Sequence, residues 1–230
     1  MPHGTIDLAD DEQTDSLSEL VMTWGRGWAV SRGTPAPVEV PGGFRVEVGS
    51  PGHRVRHVLH TYDADSLGRL ARELTAPGHW IKAVGDPEEF HSALPDGWTA
   101  ASVNHLMTVA FRAEPVEQPT PYTIEVQTGR DGDLVVAVVR DADGATAASG
   151  RLGRAGEYGT VDKIETAPEH RRRGLGSVLM RALGDRAAAL GLRTGVLVAT
   201  DEGRALYGTL GWTVRSQVPA AYRPEVLPSR

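Results

Sequence analysis

Two stretches of this chain, one in each half, spell the same succession of elements. GHWIKAVGDPEEFHSALPDGWT, from Gly78, and GLRTGVLVATDEGRALYGTLGWT, from Gly191, both read as a strand, an acidic helix start and a helix. Both then close on one triplet, Gly97-Trp98-Thr99 in the first and Gly211-Trp212-Thr213 in the second. A shared element order around a shared triplet reads as a diverged duplication, with each half a layered unit of the same kind. Between them lies EPVEQPTP, Glu114 to Pro121, whose three prolines and lack of apolar periodicity suit a semi-rigid connector. The chain is therefore expected to divide into domains 1–115 and 116–230.

Local patterning fills in both halves. Residues 1–14 read as a mobile acidic segment. Leu17, Leu20, Val21, Trp24 and Trp28 recur at spacings of three and four, which marks one face of a helix. Phe44–Val48 and Arg54–His60 read as strands. Asp65 is placed to cap a helix carrying Leu67, Leu70, Ala71 and Leu74. HWIKAV, PEEFHSAL and NHLMTVAF follow as strand, short helix and strand. After the connector, YTIEVQ, LVVAVVR and TAASGRL form a meander joined by TGRDGD and DADG. GTVDKIET is a further strand. A long helix with Leu175, Val178, Leu179, Ala182, Leu183 and Leu190 on one stripe comes next. TGVLVA, DEGRALYGTL and WTVRSQV complete the pattern as strand, helix and strand.

Composition excludes several classes of chemistry. There are no cysteines, so disulfides, thiolate zinc sites and a cysteine nucleophile are ruled out. No apolar run approaches a membrane span, and the acidic start MPHGTIDLADDEQTD lacks the pattern of a signal peptide, so a cytoplasmic location is expected. The net charge of −6 is uneven, −7 over residues 1–115 and +1 over 116–230, and offers no broad basic face for nucleic acid. Seven of the eight histidines lie in the first half. On a strand His57 and His60 face opposite sides, so no metal is expected. The acidic first half suits either a cationic amine partner or a solubilising surface.

One junction carries chemistry. HRRRGLGSVLM, His170 to Met180, places three arginines and two glycines between a strand and a helix. Free backbone N–H groups and the positive end of the helix dipole converge there, which makes a nest for anions and for phosphate above all. The Walker loop is excluded because no lysine follows the glycines. The dinucleotide fingerprint is excluded because its third glycine position holds Leu179.

The run Thr166-Ala-Pro168-Glu-His-Arg171-Arg-Arg-Gly174-Leu-Gly176 resembles the acyl-CoA loop of the GNAT N-acetyltransferase superfamily, whose pattern falls here on Arg171, Gly174 and Gly176. Gly203-Arg-Ala-Leu-Tyr207-Gly-Thr-Leu-Gly211-Trp212 resembles that family's second signature. The likeness covers about residues 122–218, and the first half matches in element order alone. It implies an α/β (α+β) fold of tandem GNAT-like domains, each a mixed, mostly antiparallel twisted sheet flanked by helices.

The resemblance also implies a function. Acetyl-CoA would be the co-substrate, lying between the strands that end near Thr166 and Ala199. Its pyrophosphate would sit on Arg171, Arg172, Arg173, Gly174, Leu175, Gly176 and Ser177. Its pantetheine arm would pair with the backbone of Ile164, Glu165 and Thr166. An amide there could face the thioester oxygen, where charge develops as an amine attacks. Tyr207 is the candidate general acid toward the departing thiolate. For the base, period two puts Thr160, Asp162, Ile164 and Thr166 on one face, with Lys163 and Glu165 on the other. Where many relatives carry a glutamate, Thr160 stands, so Asp162, then Glu165, or an ordered water remain the choices.

A second departure lies between YTIEVQ and LVVAVVR. Relatives place helices there that wall the acceptor site, and here there is room only for TGRDGD. The Leu17–Trp28 helix is the expected substitute, with the first half a degenerate domain whose own loop, HTYDADSLGRL, carries Asp63 and Asp65 against phosphate. The expected partner is a small-molecule or peptide amine, with no nucleic acid or membrane and a monomer or homodimer. A non-catalytic acyl-CoA sensor and a protein-interaction module are the alternatives.

Overall fold

The computed structural model describes residues 15–117 and 119–226. The acidic segment 1–14 and part of the 114–121 connector lie outside or at the edge of the described residues. The first half runs α1 (Leu17–Arg32), β1 (Val38–Val40), β2 (Gly43–Ser50), β3 (His53–Leu59), α2 (Ala64–Glu73), β4 (His79–Ala83), α3 (Pro87–Ser92) and β5 (Thr99–Ala110). The second runs β6 (Thr123–Thr128), β7 (Leu134–Arg140), β8 (Thr146–Ala155), β9 (Tyr158–Thr166), α4 (Leu175–Ala189), β10 (Thr194–Ala199), α5 (Asp201–Gly208) and β11 (Thr213–Tyr222). A short 3₁₀ turn, Pro168–His170, precedes α4.

All eleven strands join one sheet, in the order β1-β2-β3-β4-β11-β5-β10-β9-β8-β7-β6. The last strand of each half lies across the midline. β5 pairs antiparallel with β10, and β11 pairs antiparallel with both β4 and β5. Each half also contains one parallel pair, β3 with β4 and β9 with β10, embedded in an otherwise antiparallel ladder.

Strand alternation sorts the core into faces. Val58, Leu106, Val196 and Val218 pack in one cluster with Leu20, Val21, Trp24 and Trp28 of α1. Their neighbours Leu59, Ile81, Ala83 and Ala221 pack with Leu67, Ala71 and Phe90 of α2 and α3. Met107, Leu197 and Ala199 pack with Leu175, Leu179 and Leu183 of α4. Thus α1 occupies one face of the sheet, and the other four helices lie on the opposite face.

The sheet curls round α1, which touches β2 from the first half and both β8 and β9 from the second. Two glycines make that fit possible. A Cβ on Gly27 would lie 2.3 Å from Thr160 Oγ1 and 2.7 Å from the Gly153 carbonyl oxygen, and one on Gly25 would strike the Phe44 ring. Helix α1 is buried on nearly every side because it is the axis of the molecule and not a surface helix.

Two local readings change. The cap of α2 is Asp63, not Asp65: Asp63 accepts from Ser66 N at 2.7 Å while the Ser66 hydroxyl sits 2.9 Å from Asp63 N. That reciprocal capping box outcompetes a later start. The second change concerns the faces of β9. Lys163 adopts φ 53°, and the β8–β9 register slips between Ser149 and Arg151. This bulge inserts one residue and reverses the alternation beyond it. Thr160, Asp162 and Glu165 therefore face α1, and Val161, Ile164 and Thr166 face α4.

Candidate active site

The parallel ladder between β9 and β10 spans Thr194↔Tyr158 to Val196↔Thr160 and then stops. Beyond it the two strands diverge, and the β9 edge from Val161 onward has no ladder partner on that side. A strand edge with free N–H and C=O groups suits an extended amide-bearing ligand. The corresponding pair in the first half, β3 and β4, stays in register over five residue pairs, Val55↔His79 to Leu59↔Ala83. A groove of about 650 Å³ opens at the end of β9, lined among others by Ser149, Ile164, Thr166, Pro168, Arg171 and Glu202.

The loop from β9 into α4 is built for an anion. Arg172 takes φ 61° and Gly174 φ 77°, so the chain turns with its N–H groups inward. Helices α1, α2, α3 and α5 each begin with a capping side chain, from Ser16, Asp63, Asp86 and Thr200. Helix α4 begins at Gly174, which has no side chain to offer. Its first-turn amides, on Leu175, Gly176 and Ser177, are left for another acceptor.

The arginines divide their work. Arg171 and Arg172 are exposed, with Arg171 Nε 3.4 Å from the Thr166 carbonyl oxygen. Arg173 instead donates to Tyr122 Oη at 2.8 Å. Tyr122 Oη lies 3.1 Å from His170 Nδ1, and His170 Nε2 lies 3.5 Å from an Asp141 oxygen. That chain of contacts pins the loop to β6 and β7, so Arg173 holds the loop's shape.

On the other side of the gap, Tyr207 projects from α5 beside Trp212, with ring centroids 6.3 Å apart. Burial first, then the Asp162 charge, push its pKa up to about 12. The phenol is therefore protonated at neutral pH, and it makes no hydrogen bond to a protein group among the described residues. Nearby, His105 Nε2 on β5 lies 2.7 Å from Asp201 Oδ1 at the start of α5.

Asp162 is tied to α1. Arg32 donates to it through Nε at 2.5 Å and Nη2 at 2.9 Å, and the Ser31 hydroxyl adds a bond at 2.9 Å. Burial works to raise its pKa, but the Arg32 and Ser31 bonds outweigh this and hold it below the usual carboxylate range. Arg151 reinforces the junction by donating to the Ser31 carbonyl at 2.9 Å. Glu165 is exposed and has no salt-bridge partner among the described residues. The structure thus brings Tyr207 and Asp162 within electrostatic reach of one another across the gap. Sequence reading missed Ser31, Arg32, Arg151 and His105, since no local pattern links them to β9 or α5.

Replacing Arg32 with Ala should cost about 1–3 kcal/mol at pH 7, a buried-pair figure reduced because Arg32 is partly exposed. A carboxylate whose folded pKa is depressed contributes stability that is present above its unfolded value, near 4, and lost as pH falls through the folded value. The gap between wild type and variant in urea unfolding should therefore close in acid. A gap of the same size at pH 3 would contradict this account.

A family model for the acetyltransferase (GNAT) family matches residues 101–212. The match spans just under half of the chain. The match begins on β5, the first-half strand that lies beside β10. No curated protein matches the chain. Among solved structures, the chain is similar to a GCN5-related N-acetyltransferase from Kribbella flavida at 16% identity, covering 90% of this chain and 96% of that one, TM-score 0.64. It is also similar to one from Sphaerobacter thermophilus at 13% identity, covering 80% and 78%, TM-score 0.56. A third, a GCN5-related N-acetyltransferase-like protein from Streptococcus suis, shares 12% identity over 80% and 84%, TM-score 0.53. At such identities the likeness is one of fold, and in the first case it extends over both halves. No helix among the described residues is long and apolar enough to cross a membrane.

Proposed function

We propose that this protein transfers acetyl from acetyl-CoA to a primary amine by direct attack within a ternary complex. The observation that carries the reading is the uncapped start of α4, the one helix among the described five without a capping side chain, set beside the diverging β9 and β10. Pyrophosphate fits the amides of Leu175 to Ser177 together with Arg171 and Arg172. The pantetheine arm fits the free edge of β9 at Ile164 to Thr166. Attack of the amine nitrogen on the thioester carbon forms the C–N bond, and collapse breaks the C–S bond. Tyr207 then gives its proton to the leaving CoA sulfur.

Of the two β9 carboxylates, Glu165 is the one free to accept the proton that the amine loses. Asp162 would first have to give up Arg32, so it acts in this scheme by positioning. The acceptor enters on the α1 face, where α1 lies against β8 and β9 in place of the helices missing between β6 and β7. The first half is read as a degenerate counterpart of the second. Its helix start is filled by the Asp63 carboxylate, and its parallel strands stay closed.

The test is acetyl-CoA-dependent thiol release across a panel of primary amines. Amine-dependent release of CoA with matching N-acetyl product supports the reading. Tight CoA binding without acceptor-dependent release from any amine would sink it in favour of a sensor.

A further inference from the structure

Past the C-terminal end of α1, the α1 face of the first half gathers positive charge. In the β3–β4 register Arg56 lies opposite Trp80 and Val58 opposite Lys82, so all four share a face. Val58 packs with α1, which identifies that face. The Arg56 guanidinium lies over the Trp28 ring, 4.4 Å from its centroid, and that of Arg32 lies over the same ring at 5.1 Å. Arg56 Nε donates to His53 Nε2 at 3.1 Å, and His53 stacks on Trp80.

These cations do not balance. Arg32 is neutralised by Asp162. Arg56 is only 9% exposed, and neither it nor Lys82 forms an ion pair with a carboxylate among the described residues. His53 cannot compensate, because it accepts from Arg56 and is neutral. Burial and the neighbouring Arg56 push its pKa down to about 3. Burial and then Arg56 likewise lower Lys82, to about 7. The first half as a whole is acidic, which makes a buried Arg56 and a half-buried Lys82, with only the more distant Asp162 acting on Arg56, the more unusual. Leaving them so costs stability, and a fold that needed only packing would do better with apolar residues. Nor are the charged tips sealed. The fully enclosed side-chain nitrogens and oxygens lacking a partner belong to Thr34, His57 and His79.

The cluster is continuous with the candidate active site. Trp28 carries Arg56 and Arg32, Arg32 holds Asp162, and the Asp162 charge reaches Tyr207. We propose that Arg56 and Lys82 form an anion subsite on the α1 face, beyond Arg32 from Asp162, so that the acceptor carries a carboxylate or phosphate as well as its amine. The guanidinium offers a planar pair of donors and the ammonium a point charge, with Trp28 as floor. The acceptor assignment rests on the transferase reading; the anion site itself does not.

Two measurements on the full-length protein separate these. In the first, protein saturated with CoA, which fills the α4 loop, is titrated with acetate and with inorganic phosphate at constant ionic strength, followed by calorimetry. One saturable site is expected, weakened at least about tenfold in Lys82→Met and in Arg56→Met and retained in Lys82→Arg. The tighter of the two anions names the group. In the second, primary amines matched in length, with and without an anionic group, are compared as acceptors. The anionic members should show kcat/KM higher by about tenfold or more, with that advantage lost through KM in Lys82→Met. Absence of saturable binding, or equal binding in wild type and both Met variants, overturns the subsite even if neutral amines are acetylated. Saturable binding that depends on Arg56 and Lys82, with no transfer to any amine, keeps the subsite and removes the transferase reading.

Discussion

Changing Tyr207 to Phe is expected to lower acetyl transfer by about 10²-fold or more at saturating acetyl-CoA, the usual worth of a positioned acid. CoA affinity should stay within about twofold, because the phenol oxygen lies on α5 and the pyrophosphate cradle on α4. The ring itself should keep its place, since it packs against Trp212 and lies beside Gly203. A proton donor with a pKa near 12 also predicts no loss of activity between pH 7 and 10 from this residue. Steady-state kinetics with direct CoA titration check both halves of the expectation. Unchanged turnover in the Phe variant would remove Tyr207 from the reaction, whatever the acceptor.

Lys82→Met should make the protein more stable, by about 2–4 kcal/mol at pH 6, because it removes a largely buried ammonium facing Arg56. The sign with pH follows from the direction of the shift. The folded form gives up this proton near pH 7 and the unfolded chain only near 10.4, so between those values the unfolded state binds more protons. Wild type accordingly gains stability across that window and the Met variant does not. The difference should be largest below pH 7 and shrink toward zero as pH approaches 10.4. Urea unfolding of both proteins from pH 6 to 10.5 measures it. A variant less stable than wild type at pH 6 would mean that Lys82 has a counter-charge.

The α4 loop and the Tyr207 helix were legible because each is a contiguous word: a strand, a turn and a helix start, or a helix with one aromatic at a fixed step. The amphipathic spacing of Leu17 to Trp28 likewise announced α1, and the short TGRDGD turn announced that something else must cover β9. What stayed hidden depends on residues far apart in the chain. Arg32 meets Asp162 only because Gly25 and Gly27 let α1 sink between the two sheet halves. Nothing in the strand patterns tells Arg56 and Lys82 from ordinary solvent-facing charges, and only the packed sheet buries Arg56 and half-buries Lys82. The bulge at Lys163 defeated the simple alternation on β9, since a non-glycine residue at positive φ leaves no mark in a strand-like sequence. Asp63 and Asp65 were equally good caps by residue type, and Ser66 decided between them.

The crossing of β5 and β11 also bears on how the molecule is made. During synthesis the first half emerges complete in sequence and yet lacks the neighbour that β4 will have, because Thr213–Tyr222 is still inside the ribosome. Until then β4 presents an open edge, and β5 waits beside it for both of its partners. Closure of the whole sheet needs β11, the strand that lies between β4 and β5. A nascent chain stalled before residue 213 should therefore resist proteolysis poorly over its entire length, and should gain protection in both halves at once when β11 is released.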